Sequence, residues 1–286
     1  MTRRRVAVFA ADTMTRVSPD DDQMRARRAS SFGSEAAAYA EHRPDYARNA
    51  VAWALAPVRD RDPLRVLDIG AGTGKLTTSI ERLAGSPDCA GRLSVVAVEP
   101  DPDMLAELRR VMPAVTALPG RAEEIPLPDA SVDAVVCGQA AHWFDMARAV
   151  PEIARVLTAG GVFAGLWNMD DDSEPWVAGL AAVYAPHTTH TRWREGGHDW
   201  PSAEPGRRGP FGPTEQAEFP HGKEHTIDSL VGLIATHSRQ LVMDPGERER
   251  ELDQVRSYLR ARRETARGEF RMPMVTGVLR AVKTVQ

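Results

Sequence analysis

Cysteine is scarce: Cys89 and Cys137 are the two in 286 residues, too few for a disulfide framework and without the spacing of a zinc site. No apolar run approaches the roughly 18 residues needed to span a bilayer. Basic charge is not in excess either. The formal net charge is −4, which leaves no electrostatic footprint for nucleic acid and favours a small-molecule partner. No Asp/Asn/His cluster with metal-ligand spacing stands out, so no metal is expected, and no internal repeat is visible.

What is present has ordinary proportions. Hydrophobic residues make up 42% and charged residues 27%, a balance that suits a soluble globular chain long enough to bury a sizeable core. Residues 1–31 mix Arg3, Arg4, Arg5, Arg25, Arg27 and Arg28 with Asp12, Asp20, Asp21 and Asp22. They have no periodic apolar face and are read as a disordered tail ahead of one domain over 32–286. Arg3 to Arg5 followed by Val6 to Ala11 has the outline of a signal sequence, but the apolar stretch is short and Asp12 ends it, so cytoplasmic residence is expected. Met14 and Met24 are alternative starts.

The chain is organised around Arg65-Val-Leu-Asp-Ile-Gly-Ala-Gly-Thr-Gly-Lys75. Val66 to Ile69 reads as a buried strand, glycines follow at 70, 72 and 74, and a helix begins at Lys75. Glycine lets a ligand approach backbone directly, and the helix N-terminus behind offers unpaired N–H groups. The spacing is neither of two familiar glycine signatures. A dinucleotide turn needs a glycine where Lys75 stands, and a phosphate loop needs a glycine at Ile69 and a Ser/Thr at Leu76. Glu99 closes the next strand, where a carboxylate can accept two hydrogen bonds from a ribose diol; that residue alone would suit NAD equally.

Strands are predicted at Leu93 to Val98, Val115 to Leu118, Val132 to Cys137 and Val162 to Trp167, separated by helix-length segments. Asp45, Asp101 and Asp145 are read as helix caps, and the helix after Asp145 is expected to end at Gly160-Gly161. The pattern means an α/β, doubly wound, mostly parallel sheet. Beyond Asn168 regularity fails, and 186–213 reads as an irregular loop or lid. A helix is predicted over Asp228 to Ala235, another from Pro245 to about Arg262 with the stripe Leu252, Val255 and Leu259, and an edge strand over Phe270 to Val282 because Pro273 lies in it.

The glycine spacing with Asp68 before it resembles motif I of the class I S-adenosylmethionine-dependent methyltransferases. Three more segments are similar to that family in order. Phe32 to Tyr46 resembles its N-terminal helical lid, Arg121-Ala-Glu-Glu to Asp129 its adenine-binding segment, and Ser131 to Phe144 its fourth strand and following turn. The His142-Trp143-Phe144 ending resembles the type 11, trans-aconitate methyltransferase-like branch. The resemblance implies a Rossmann-like fold, S-adenosyl-L-methionine as cofactor, and methyl transfer to a small-molecule acceptor. It assigns the cofactor to Tyr39, Arg43, Asp68, Gly70, Ala71, Gly72, Gly74, Glu99, Pro100, Ala122, Glu123 and Gln139. Many relatives have an acidic residue at Arg121, so the adenine amino group is unassigned, with Glu123 as the substitute. His142 is the candidate base, set against a purely structural role for a histidine beside aromatics. Two other readings fit the fold: an enzyme using the same cofactor for another reaction, and a cofactor-binding protein without turnover.

Overall fold

The structure, a computed structural model, describes residues 3–5, 44–84, 86, 92–184, 200, 209–241 and 243–285. Tyr39, Arg43 and the rest of the N-terminal segment through residue 43, apart from Arg3–Arg5, lie outside the described residues, as does most of the 186–213 loop. The strands are β1 (Arg3–Arg5), β2 (Leu64–Ile69), β3 (Leu93–Glu99), β4 (Thr116–Pro119), β5 (Val132–Gly138), β6 (Leu157–Asp170), β7 (Glu215–His225) and β8 (Phe270–Val282). The helices are α1 (Arg48–Leu55), α2 (Lys75–Glu81), α3 (Pro102–Val111), α4 (Met146–Val156), α5 (Pro175–Tyr184), α6 (Ile227–Ala235), α7 (Ser238–Leu241) and α8 (Pro245–Arg260).

All eight strands form one sheet in the order β1-β7-β8-β6-β5-β2-β3-β4. The five strands β2 to β6 pair in parallel, and β1, β7 and β8 add an antiparallel margin. Side-chain alternation builds the two layers. Leu67 and Ile69 of β2 pack with Ile153 and Ala149 of α4, whereas Leu64 and Val66 face Ala50 and Val51 of α1 and Ile80 of α2. A further cluster joins α5, α6 and α8 over Phe270, Met272 and Met274 at the start of β8. There the expected stripe of Leu252, Val255 and Leu259 is buried. Within the stretch expected as a tail, Arg3–Arg5 pairs with Gln216 to Glu218 of β7.

Several local expectations need correction. Asp45 does not cap α1, whose N-cap is Ala47 without a side-chain bond. The Ala47 N–H goes instead to Thr276 Oγ1, and the Asp45 carboxylate is taken by Lys75 and Arg82. Asp101 and Asp145 do cap their helices. The helix after Asp145 stops at Val156, and Gly160 and Gly161 lie inside β6. A Cβ on Gly161 would stand 3.0 Å from the Asp133 carbonyl, so glycine is needed there for β6 to approach β5. β8 is interior rather than edge, held between β6 and β7. Its proline is tolerated because the β6 ladder ends at the Met274–Asp170 pair, leaving Pro273 just beyond it. The helix α5 and strand β7 were not anticipated; Pro220 and Gly222 disguise the latter.

Candidate active site

Chain order along the sheet reverses at β2. From it β3 and β4 run to one side, and β5 and β6 to the other. Open α/β sheets bind ligands outside the carboxyl ends of their strands at such a point. The glycine turn stands there. Gly70, Gly72 and Gly74 have φ of 68°, 57° and 87°, a left-handed region that glycine enters without steric cost. Gly70 also touches the turn after β5 closely: a Cβ on it would lie 2.8 Å from that of Ala140. Over Gly72 a Cβ would find nothing closer than Met104 Sδ at 3.7 Å, so this part of the turn presents backbone to open space.

Glu99 lies at the end of β3, 6% exposed. Its Oε2 accepts from Gly72 N at 2.8 Å and its Oε1 from Asp101 N at 2.9 Å. Each oxygen keeps a lone pair for a further donor. Burial pushes the carboxyl up from its ordinary value, against the opposing pull of those two backbone bonds. Asp68 is fully buried behind the turn. Thr77 donates to its Oδ2 at 2.6 Å, while Oδ1 has no partner. Burial first, and the nearby Glu99 charge, raise it to about 7 despite the Thr77 bond. The Thr73 hydroxyl in the same turn is also buried and unpartnered. These features fit a polar cofactor with a vicinal diol lying across the turn: a carboxylate preset by two amides, open space over Gly72, and unsatisfied polar atoms beneath.

Across the crevice, Gly138 ends β5 under Tyr46; a Cβ there would come 2.8 Å from the Tyr46 ring carbon Cζ. Gln139 follows with φ of 54° and donates from Nε2 to the Asn168 carbonyl at 2.8 Å. His142 is exposed on the short 3₁₀ turn Ala141–Trp143, its ring centroid 4.6 Å from that of Trp143. Cys137 is buried and its thiol pushed up by desolvation, which leaves no thiolate nucleophile at neutral pH.

The adenine-like segment lies beside this crevice. Ala122 is buried at 3% exposure. Glu123 accepts from Asp145 N at 2.8 Å and lies 3.5 Å from the Arg121 guanidinium, so it caps the approach to α4 as well as flanking the segment. Arg155 binds the carbonyls of Leu127 and Ile125, and Glu152 accepts from Ile125 N. Together they pin the segment to α4. The structure thus gathers Asp68, Gly70, Ala71, Gly72, Gly74, Glu99 and Pro100 on the β2 and β3 side, with Gln139 and His142 opposite. Sequence reasoning missed Tyr46 as a packing partner of Gly138, Thr77 on Asp68, Asn168 on Gln139, and the Glu152–Arg155 clamp. Asn168, at the end of an apolar strand, was the one with a visible signal. Among the described residues no group of three or more His, Cys, Asp or Glu is placed to hold a metal ion, and no helix is long and apolar enough to cross a membrane.

Comparison with known proteins agrees with this fold. Residues 67–165 match the family model of a methyltransferase domain. An uncharacterized methyltransferase of Mycobacterium tuberculosis is 39% identical over 252 residues, covering 88% of this chain and 95% of that protein. An uncharacterized methyltransferase-like protein of Schizosaccharomyces pombe is 31% identical over 231 residues, 78% of this chain and 85% of that one. A structure solved as a type II methyltransferase from Anaeromyxobacter dehalogenans superposes with a TM-score of 0.58 at 26% identity, over 84% of this chain and 97% of its own.

Proposed function

Since the chain belongs to the methyltransferase-domain family, we propose that it binds S-adenosyl-L-methionine across the glycine turn, with Gln139 toward its methionine end, and methylates a small-molecule acceptor held near His142. The observation that carries this reading is Glu99, a buried carboxylate whose two oxygens are aimed by Gly72 N and Asp101 N. Glu99 would accept the ribose hydroxyls, the turn backbone from Gly70 to Gly74 would lie against the cofactor, and the backbone at Ala122 would meet the purine.

When bound, the cofactor's sulfonium supplies an electrophilic methyl group and loses its positive charge as that group is transferred. The protein's residues need not provide a nucleophile. Their task is to hold donor and acceptor in line near contact distance, an entropic contribution that can be large. A hydroxyl acceptor gains from a base, a role His142 on the turn after β5 would fill; a carboxylate acceptor needs none. The acceptor class follows the resemblance of His142-Trp143-Phe144 to the trans-aconitate methyltransferase-like branch and the chain's lack of basic excess.

Titration calorimetry with S-adenosylhomocysteine tests the site, and incubation with methyl-labelled cofactor and a metabolite extract tests the reaction. Label transfer to a small molecule is the expected result. Unlabelled conversion would favour a different reaction at this cofactor, and binding alone would favour a protein without turnover.

A further inference from the structure

Two buried acids lie beneath the glycine turn without a cation of their own. Asp68 of β2 is fully buried and Glu99 of β3 is 6% exposed, and among the described residues neither makes a salt bridge. Lys75, the cation on the first turn of α2, reaches Asp45 at 3.5 Å, and Arg82 at the other end of that helix binds the same carboxylate. What faces Asp68 is uncharged or acidic. Thr77 of α2 donates to Oδ2 at 2.6 Å, and Oδ1 has no partner. The Thr73 hydroxyl of the turn is buried and also without one. On β5 the Cys137 thiol is pushed up by burial and by the Asp68 charge, and Tyr46 packs over Gly138 at the end of that strand. Asp101 adds a negative charge beside Glu99.

Two carboxylates sharing a buried site disfavour each other's ionisation, and desolvation disfavours both. Glu99 has two backbone N–H donors that favour its charged form, whereas Asp68 has one hydroxyl, so Asp68 is the member of the pair that holds a proton. Burial and the Glu99 charge keep it up at about 7 against the pull of the Thr77 bond. A positive charge brought against the turn reverses this balance, and in a low-dielectric interior it acts without touching the carboxylate.

We infer that Asp68 is a proton-linked counter-charge for the ligand: it carries a proton in the ligand-free protein and gives it up to solvent when a cationic group seats across the turn. This rests on the turn being the cofactor site. Affinity then follows pH through the neutral range, rising as Asp68 needs no proton removed. The positive charge has two sources in the cofactor, the sulfonium and the α-ammonium, of which S-adenosylhomocysteine keeps only the second.

Titration calorimetry on the full chain, in phosphate and in imidazole buffer, counts the protons released, with S-adenosyl-L-methionine and S-adenosylhomocysteine as the probes. The difference between the native protein and Asp68→Asn isolates this acid from every other titrating group, the ligand's included. At pH 6.5 the native protein should release about 0.8 proton more per ligand than the variant, and its affinity should be about tenfold weaker at pH 6 than at pH 8, a dependence that Asp68→Asn lacks. Release with both probes assigns the ammonium as the source, and release with S-adenosyl-L-methionine alone assigns the sulfonium. Should Asp68→Asn not fold or not bind, Thr77→Val enters in its place. Losing the hydrogen bond to the charged form should move the midpoint of its affinity profile to higher pH, whereas a merely structural loss would weaken binding equally at every pH. Equal proton counts in native protein and Asp68→Asn, or an affinity profile of Thr77→Val parallel to the native one, would overturn the inference while leaving the cofactor site standing. Absence of binding of either probe by the unaltered protein would overturn both.

Discussion

Asp68 and Asp133 lie on neighbouring parallel strands, β2 and β5, both nearly without exposure, yet at opposite ends of the sheet and in opposite electrostatic states. At the amino end, Asp133 accepts from Arg65 N, Nε and Nη2, from Arg61 Nη1 and from Thr158 Oγ1. Burial alone would raise it, but the bonds and charge of Arg65 outweigh that, and its carboxyl is held below the ordinary value. At the carboxyl end Asp68 has one hydroxyl donor, an unpartnered oxygen and Glu99 nearby. One end is satisfied by the protein itself. The other is left unsatisfied beneath the turn proposed to hold the cofactor, as expected when a site is built at some cost in stability.

Removing the satisfied acid should have the largest effect. Asp133→Ala leaves two guanidinium groups facing a void, and breaking such a pair costs several kcal/mol when fully buried. Arg61 and Arg65 keep 34% and 40% of their side-chain surface in water, which screens them and lowers the expected loss to about 2–3 kcal/mol. Urea unfolding measures it. Affinity for S-adenosylhomocysteine in the remaining folded protein should not change.

The converse holds at the other end. Glu99→Gln keeps the shape but turns an NH₂ toward either Gly72 N or Asp101 N, and it removes the charge from the acceptor pair. Affinity for S-adenosylhomocysteine should fall about 10- to 100-fold, the range for losing a charge-assisted bond. Melting temperature should hardly move, since relief from burying a charge offsets the lost backbone bond. A large loss of stability with intact affinity would reverse the comparison.

The third effect is smaller and concerns pH. Asp68 titrates higher in the folded state, at about 7, than its ordinary 3.8, so its contribution to stability is full below about 3.8 and is lost as pH rises from there through about 7. Asp133 titrates below 3.8 when folded, so its contribution is lost as pH falls below about 3.8. The ligand-free protein should therefore be most stable in mildly acidic solution and decline on both sides. Asp68→Asn should flatten the decline between about pH 4 and pH 7 and leave the acid limb; Asp133→Ala should do the opposite. Calorimetric melting across pH 3–9 reads both slopes.

The parallel half of this fold was legible because buried parallel strands are continuous apolar runs, as at Val132 to Cys137, and because Asp101 and Asp145 precede helices as capping residues should. Glu99 and the glycine turn were legible for the same local reason: spacing within a strand-turn-helix unit is short-range information. The antiparallel margin was legible only in part. The strand over Phe270 to Val282 was visible, but Pro273 suggested an edge where the sheet puts β8 inside, and Pro220 and Gly222 hid β7; all three are tolerated through a register that only the assembled sheet defines. The same applies to site partners. Asn168 reaches Thr276 across 108 positions and Arg65 reaches Asp133 across 68, pairings that no local pattern announces.

His142 should give the smallest change in stability, and it sharpens the comparison because it is the titratable candidate at the crevice rim. Its side chain is exposed on a three-residue turn, against Trp143, so His142→Gln should alter stability by no more than about 0.5 kcal/mol, as for surface substitutions generally. Affinity for S-adenosylhomocysteine should also persist, since the proposed ribose acceptor is Glu99 at the end of β3 and the proposed cofactor surface is the backbone of the glycine turn. The rate then carries the information. With a hydroxyl acceptor, single-turnover methyl transfer should fall by roughly 10²- to 10⁴-fold, the usual worth of a positioned base. With a carboxylate acceptor it should not change, because no proton leaves. Melting temperature, cofactor affinity and rate measured on one sample distinguish these outcomes: a stability loss large enough to account for a slower rate would give His142 a structural role, and an unchanged rate with a hydroxyl acceptor would remove it as the base.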